Sequence, residues 1–417
     1  MRHELFYRAD NYDKEFYFMV TNAVTIFTFT HVWIYTAEGQ PIPDGFLTVR
    51  DGIIAALGDM ADYHPDRLPQ NGVVTDLRGR RLYPGFIDAH THVGMWDDGL
   101  GFEGDDGNEI GEPVTAALRA IDAVNGFDRC FEEAHNSGVT TVVTGPGSAN
   151  PIGGMMAAVK TTGGRVDHMI LKFPISMKMA LGENPKTVYH QRDETPVTRM
   201  ATARIIREAL IKAQRYAKAL DEAEEESDKP DYDADCEALI PVIRGELPVH
   251  FHAHRRDDIF TAVRIAEEFG LDYIIVHGTE GHLCAEELAA CGAKVFSGPL
   301  LSDRSKPELS NLSPAAAGIL DRAGIPTALV TDHPVIPIQY LPVCAGLMVR
   351  EGMDYDSALR GITIRPAQLL GIDDRVGSLR VGKDADFSVF DADPLTLAAK
   401  PLAVYIDGRE VYRDARF

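Results

Sequence analysis

Positive charge is scarce in this chain. Its 417 residues carry 41 Lys and Arg against 63 Asp and Glu, a formal charge of −22. Phosphate recognition needs clustered Lys and Arg, so this balance speaks against a nucleic-acid binder and for an acidic, soluble surface. Cysteine is sparse as well. Cys130, Cys236, Cys284, Cys291 and Cys344 make no CxxC pair and no regular framework. That argues against a disulfide scaffold and fits free thiols in a reducing compartment, the cytoplasm. A clean membrane span is missing too. Met19 to Thr36 comes nearest, but Thr, Asn and His recur through it and β-branched residues dominate, so it reads as strand. The opening MRHELFYRADNYDKEF is polar and has no signal-peptide core. No glycine-rich dinucleotide fingerprint follows the first strand, and no internal repeat is visible.

What is present is a change of style along the chain. From about Val20 to Leu82, short β-rich runs are separated by turn signals: AVTIFTFTHVWIYT, AEGQPIPDG, FLTVRDGIIAALGD. The C-terminal stretch has the same character (DADFSVFDADP, LAVYIDGREVYRD). Between them, the strand-like runs GVTTVVTG, MKMALG, PVHFHAH, DYIIVHG, AKVFSG and PTALVTD alternate with amphipathic segments such as ATARIIREALIKAQRYAKAL and IFTAVRIAEEFG. Such alternation implies parallel strands with helical crossovers, and about eight units favour a closed barrel over an open sheet. The expected fold is α/β, with a (β/α)8 barrel over residues 83–370 and β-rich flanks at 1–82 and 371–417. The acidic run 221–235 reads as a solvated loop or helix end.

In such a barrel, chemistry belongs at the carboxyl ends of the strands. GFIDAHTH ends in His90 and His92, which share one face of a strand and converge beyond its end. VHFHAH carries His250, His252 and His254, IIVHG ends at His277, and ALVTD at Asp332. Each alone reads as a structural residue. Together they are hard to explain as packing, because buried imidazoles and carboxylates need partners, and a metal site accounts for all four strands. Steps of two place the three histidines of VHFHAH roughly 6.6 Å apart. Only one is therefore expected level with a given metal, with His250 deeper and His254 in the loop.

The set GFIDAHTH, HAH, VHG and TDHP, with the C-terminal VGSLRVGKDADFSVFDADPL, resembles the amidohydrolase superfamily of metal-dependent hydrolases. It is most similar to the branch of imidazolonepropionase-like and Xaa-Pro-dipeptidase-like proteins, over nearly the whole chain from Val20 onward. The resemblance implies an eight-stranded α/β barrel with a small β-sandwich built from both chain ends. It also implies His90, His92, His252, His277 and Asp332 as metal ligands. Many relatives carry a carboxylated lysine on the fourth strand that bridges two metals. Lys178 is favoured for that role because it directly precedes the loop and helix leading to the fifth strand; Lys172 is the alternative.

The chemistry this implies is hydrolysis of a carbon–nitrogen bond in an amide or cyclic amide, a dipeptide or N-acyl amino acid included. One or two divalent ions, zinc before manganese or iron, would lower the pKa of a bound water. Asp332 is the expected general base, with His277 or His254 polarising the scissile carbonyl. Arg255, His282 and Arg192 are candidate substrate contacts, together with Arg256, Arg304 and Lys306, and a cationic rim on so acidic a protein suggests a carboxylate-bearing small molecule. The long acidic loop WDDGLGFEGDDGNEIGEP would form a lid or meet a cationic group. Nucleic-acid and membrane partners are not expected, and the sequence leaves room for a homo-oligomer. The alternatives are a deaminase of the same fold, disfavoured because His252-Ala-His-Arg lacks the glutamate those enzymes place there, and a non-catalytic binding protein.

Overall fold

Strand propensity at both ends of the chain produces one sheet. The computed structural model describes residues 26–65, 72–97 and 101–417. The polar N-terminal opening, the start of the Met19–Thr36 run and part of the acidic loop lie outside them. The N-terminal part supplies β1 (Ile26–Ile34), β2 (Ile42–Arg50), β3 (Ile53–Asp59), β4 (Val73–Asp76) and β5 (Arg81–Pro84).

The middle of the chain supplies a second eight-stranded sheet. Its strands are β6 (Phe86–Thr91), β7 (Val139–Thr144), β8 (Ile152–Lys160), β9 (Ile170–Ala180), β10 (Val249–Ala253), β11 (Tyr273–His277), β12 (Val295–Ser297) and β13 (Thr327–Leu329), paired in chain order. The C-terminal strands β14 (Phe387–Phe390), β15 (Ala403–Ile406) and β16 (Arg409–Arg413) then return to the first sheet. There β14 pairs antiparallel with β5. Phe29, Phe387 and Tyr405 hold the two ends together: the rings of Phe387 and Tyr405 stack at 4.7 Å, and Phe29 meets Phe387 edge-on at 5.9 Å. Such aromatic pairs contribute about 0.5–1.5 kcal/mol each beyond their buried area.

The middle sheet closes into a barrel. Its seam joins β6 to the segment after β13, where Asp332 N donates to the His90 carbonyl at 3.2 Å and His92 N to the His333 carbonyl at 2.8 Å. Asp88 reinforces it. One carboxylate oxygen accepts from Thr331 N at 3.0 Å and Thr331 Oγ1 at 2.6 Å, and the other from His90 N at 3.2 Å. One strand departs from the expected alternation. β8 runs antiparallel to both β7 and β9, so this stretch is a meander without crossover helices. The remaining pairings are parallel.

The outer helices follow their sequence pattern. Arg199–Glu222 starts at Thr198, whose side chain accepts from Ala201 N, and it buries Thr202, Ala203, Ile206, Leu210, Ala213 and Ala217. Those positions recur at three- and four-residue steps, one face of an α-helix. Arg256–Phe269 ends where Gly270 takes the left-handed conformation at φ 66°, a geometry that glycine adopts without steric cost. Among the described residues, no helix is long and apolar enough to cross a membrane, and all five cysteines are free thiols.

A buried ion cluster joins the two sheets. Lys160, at the end of β8, is 4% exposed and lies 2.6 Å from Asp384 Oδ2, 3.1 Å from Asp386 Oδ1 and 2.5 Å from Asp407 Oδ1. Burial alone would lower this amine's pKa, but the three carboxylates outweigh it and hold the ammonium charged. Burial pushes Asp386 up to about 6. Removing one partner of a buried cluster strands the others. Lys160→Met is therefore expected to cost about 3–5 kcal/mol in urea unfolding at neutral pH. Without the cation, the buried Asp386 carboxyl rises further in the folded state. Stability of the variant should then fall as pH rises above the unfolded carboxyl range near 4, and the deficit should shrink on acidification. A variant as stable as the parent at pH 7 would count against this account.

Candidate metal centre

Where β6, β10, β11 and β13 run out, they leave polar side chains at one end of the barrel. His90 and His92 project together from the end of β6, both buried. His92 Nδ1 donates to the Gly145 carbonyl at 2.7 Å. A carbonyl only accepts, so the neutral ring carries its proton on Nδ1 and turns the Nε2 lone pair inward. That Nε2 lies 3.3 Å from Asp332 Oδ1. His277, the last residue of β11, is fixed in the same way by the Gly298 carbonyl at 2.8 Å. His252 Nδ1 pairs with Ser148 Oγ at 2.9 Å, and His254 Nδ1 with Thr279 Oγ1 at 2.7 Å. Four imidazoles thus have Nδ1 anchored on the outer wall and Nε2 available inside, the arrangement by which proteins orient metal-binding histidines.

The inward atoms form two groups, His90 with His92 and Asp332, and His252 with His254 and His277. Within each group the ligating atoms lie within 4.8 Å of one another. Burial holds His277 down to about 4 and pushes His90, His252 and His254 well below the ordinary imidazole value. These rings are neutral at pH 7, the form that ligates. Burial raises the Asp332 carboxyl, but His277, His92 and Lys178 more than offset it, so Asp332 is ionised. The buried His252 Nε2 has no hydrogen-bond partner among the described residues, a deficit of about 1–3 kcal/mol that a cation would relieve. Imidazole and carboxylate donors in this proportion fit a divalent zinc, manganese or iron ion. The backbone supports the same reading. His277 and Asp332 adopt positive φ of 74° and 56°, a strained conformation for non-glycine residues that clusters at functional sites.

The two lysines part company. Lys178 is fully buried on β9, its Nζ 3.0 Å from His90 Nε2, and burial pushes its pKa down to about 8. Lys172 is exposed, with Nζ 3.3 Å from the Leu370 carbonyl and 3.4 Å from that of Gly371. His250 lies deeper, as expected, beside Ser176 Oγ at 3.1 Å. His254 follows the strand in the loop, as expected, but its ring turns to the centre. β10 ends at Ala253, so the strand's alternation no longer binds the next residue, and the His254 ring stacks on His277 at 4.5 Å. Two histidines of VHFHAH are therefore level with one group, where the strand spacing allows one.

The expected substrate contacts are each tied to a neighbour. Arg192 pairs with Glu194 at 3.1 Å, Arg255 with Asp257 at 2.8 Å, and His282 Nδ1 with the Thr279 carbonyl at 3.0 Å. Several residues near the centre were not singled out by the sequence. Trp96 sets its ring edge-on to His92 at 5.0 Å, and Ser148 and Thr279 anchor two imidazoles. Glu308, 1% exposed, places Oε1 3.7 Å from His254 Nε2. Its only signal was its place in the loop after β12, two residues beyond Lys306.

Comparison with known proteins agrees with this architecture. The model of the Amidohydrolase family matches residues 81–411. The solved structure of an amidohydrolase from Thermotoga maritima MSB8 has a TM-score of 0.88 and 39% identity, covering 93% of this chain and 100% of that one. Amidohydrolase tasK of Hapsidospora irregularis is 32% identical over 83% of this chain, which spans 38% of the length of that relative. Imidazolonepropionase of Streptococcus pyogenes serotype M12 is 24% identical over 84% of this chain and 85% of its own length. With the family model matched over most of its length, this chain belongs to the amidohydrolase family.

Proposed function

We propose that this chain hydrolyses a carbon–nitrogen bond of an amide or cyclic amide, with a small molecule bearing a carboxylate as substrate. The observation that carries the reading is the pair of inward-facing donor groups gathered around buried Lys178 and ionised Asp332. His90, His92 and Asp332 would hold one divalent ion, and His252 and His277, with His254 beside them, a second. The ions supply a water acidic enough to be deprotonated near neutrality and a Lewis acid for the carbonyl.

The protein's own residues do the rest. Asp332 Oδ1 takes the proton of the attacking water and returns it to the leaving nitrogen. Gly145, Gly298, Ser148 and Thr279 hold the rings in orientation through Nδ1. Lys178, lowered to about 8 by burial, is about one-tenth neutral at pH 7, against well under a thousandth for an ordinary lysine. Its lone pair can add to the carbon of CO2 with loss of a proton from the nitrogen, giving a carbamate that would offer an oxygen donor to the ion held beside His90, the nearest imidazole at 3.0 Å.

Protein purified without chelator should contain about two divalent ions per chain by elemental analysis, and removing them should lower Tm, since a ligand that binds only the folded state stabilises it. A chain that takes up none sinks the proposal. Lys178→Ala should lose one ion, with acetate or propionate partly restoring it; retention of both ions would argue against the carbamate. Asp332→Asn keeps the size and some ligating ability but cannot accept a proton. Its kcat should fall about two to four orders of magnitude while the fold persists. Near-parental turnover of an N-acyl amino acid or lactam by this variant would exclude the proposed proton route.

A further inference from the structure

The loop after β12 brings a carboxylate to the second donor group. Glu308 is 1% exposed, with Oε1 3.7 Å from His254 Nε2 and 4.0 Å from His252 Nε2. Its other oxygen accepts from Glu183 N at 3.1 Å, so the carboxylate is seated from behind by main chain. Gly182 makes that seat possible. Its φ is +86°, and a Cβ there would stand 3.0 Å from Glu308 Oε2 and 3.1 Å from Asp258 Oδ2. Asp258 is held by Arg199 Nε at 2.9 and 3.0 Å. The cation nearest Glu308 Oε1 is the Lys306 ammonium at 2.7 Å, which also donates to Asn184 Oδ1 at 2.7 Å.

We infer that Glu308 is a ligand of the second ion, completing a four-donor site with His252, His254 and His277, and that Lys306 is the counter-ion it gives up when that ion binds. The inference rests on the metal-dependent reading above. Around a tetrahedral zinc with bonds of about 2.0–2.1 Å, neighbouring donors stand roughly 3.3–3.4 Å apart. The present separations of 3.7 and 4.0 Å need to shrink by about half an ångström. Two further observations point to a cation here. His252 Nε2 is buried with no hydrogen-bond partner among the described residues. Glu308 Oε1, buried beside it, is paired with Lys306, whose side chain is 28% exposed. Coordination exchanges one ion pair for another and releases the Lys306 ammonium from its carboxylate, with Asn184 Oδ1 still accepting from it.

The test uses the full chain stripped with chelator and titrated with Co2+ and then Zn2+. The parent should bind two ions, with the visible absorption of tetrahedral Co2+ in one of them. Glu308→Gln, of the same shape, should keep the ion at His90, His92 and Asp332. It should lose the tetrahedral absorption and weaken the second ion by at least the 10–100-fold that loss of an outer-shell partner costs. Glu308→Asp, with its shorter reach, should bind the second ion with intermediate affinity. Independently, acylation of Lys306 by an N-hydroxysuccinimide ester, read by peptide mass spectrometry, should rise on metal loading in the parent and be indifferent to metal in Glu308→Gln. Two ions with unchanged affinities in folded Glu308→Gln, or Lys306 labelling blind to metal in the parent, overturns the assignment and leaves metal-dependent hydrolysis standing. A parent chain that binds a single ion insensitive to this substitution does the same. Failure of the parent to bind any ion overturns both.

Discussion

Asp88 accepts hydrogen bonds from His90 on its own strand and from Thr331 beyond β13, and the site depends on that link. His90 and His92 come from the first strand of the barrel and Asp332 from the far end of the last. Nothing but closure brings them within ligand distance. The main-chain bonds between Asp332 and His90, and between His92 and His333, set the register of that closure. A slip of one residue would turn the alternating side chains of β6 to the opposite face. The buried carboxylate, which burial pushes up to about 7, is thus spent on geometry.

Burial does two jobs at the mouth of the barrel. It keeps the imidazoles neutral and ready to ligate, and it keeps Lys178 within reach of its free-amine form. Neither comes without cost, because polar groups withdrawn from water must find partners or lose stability. The carbonyls of Gly145 and Gly298 and the hydroxyls of Ser148 and Thr279 satisfy one side of each ring. The inner side is left to whatever the site binds. Arg192 and Arg255 are already paired with local acids, and the cations that bear on His252 and His254 are Lys178 and Lys306.

Much of this was legible in the sequence. The strand-end histidines, Asp332 and the two long amphipathic helices follow from periodicity, because each residue's neighbours on its own element determine which way it faces. The observed helix Arg199–Glu222 contains its expected run, and Arg256–Phe269 covers its own except for the final Gly270, with a turn or less added at the other ends. What stayed hidden depends on contacts between elements. β8 alternates poorly and contains Gly153 and Gly154, so it gave no strand signal, and its reversed direction is a tertiary fact. Lys178 and Lys172 lie on the same strand, six residues apart. The β8–β9 register shifts between their pairing positions, so alternation along the strand does not tell which one is inside. Glu308 sits in an irregular loop, where no periodicity marks a residue as buried.

The reversed strand bears on the order in which the chain assembles. Thr144 pairs with Ala157, 13 positions on, whereas Thr331 meets Asp88 across 243 positions. Loop-closure entropy grows with the logarithm of loop length, so the longer contact costs about 2–3 kcal/mol more to form from the open chain. Local pairings are also reached faster. The β7–β8–β9 meander, which carries Lys178, is therefore the natural early piece, and the seam at Asp88 the natural late one. The first donor group straddles that seam. Partly folded chains hold its pieces on separate ends, and a completed centre marks a chain that has finished folding.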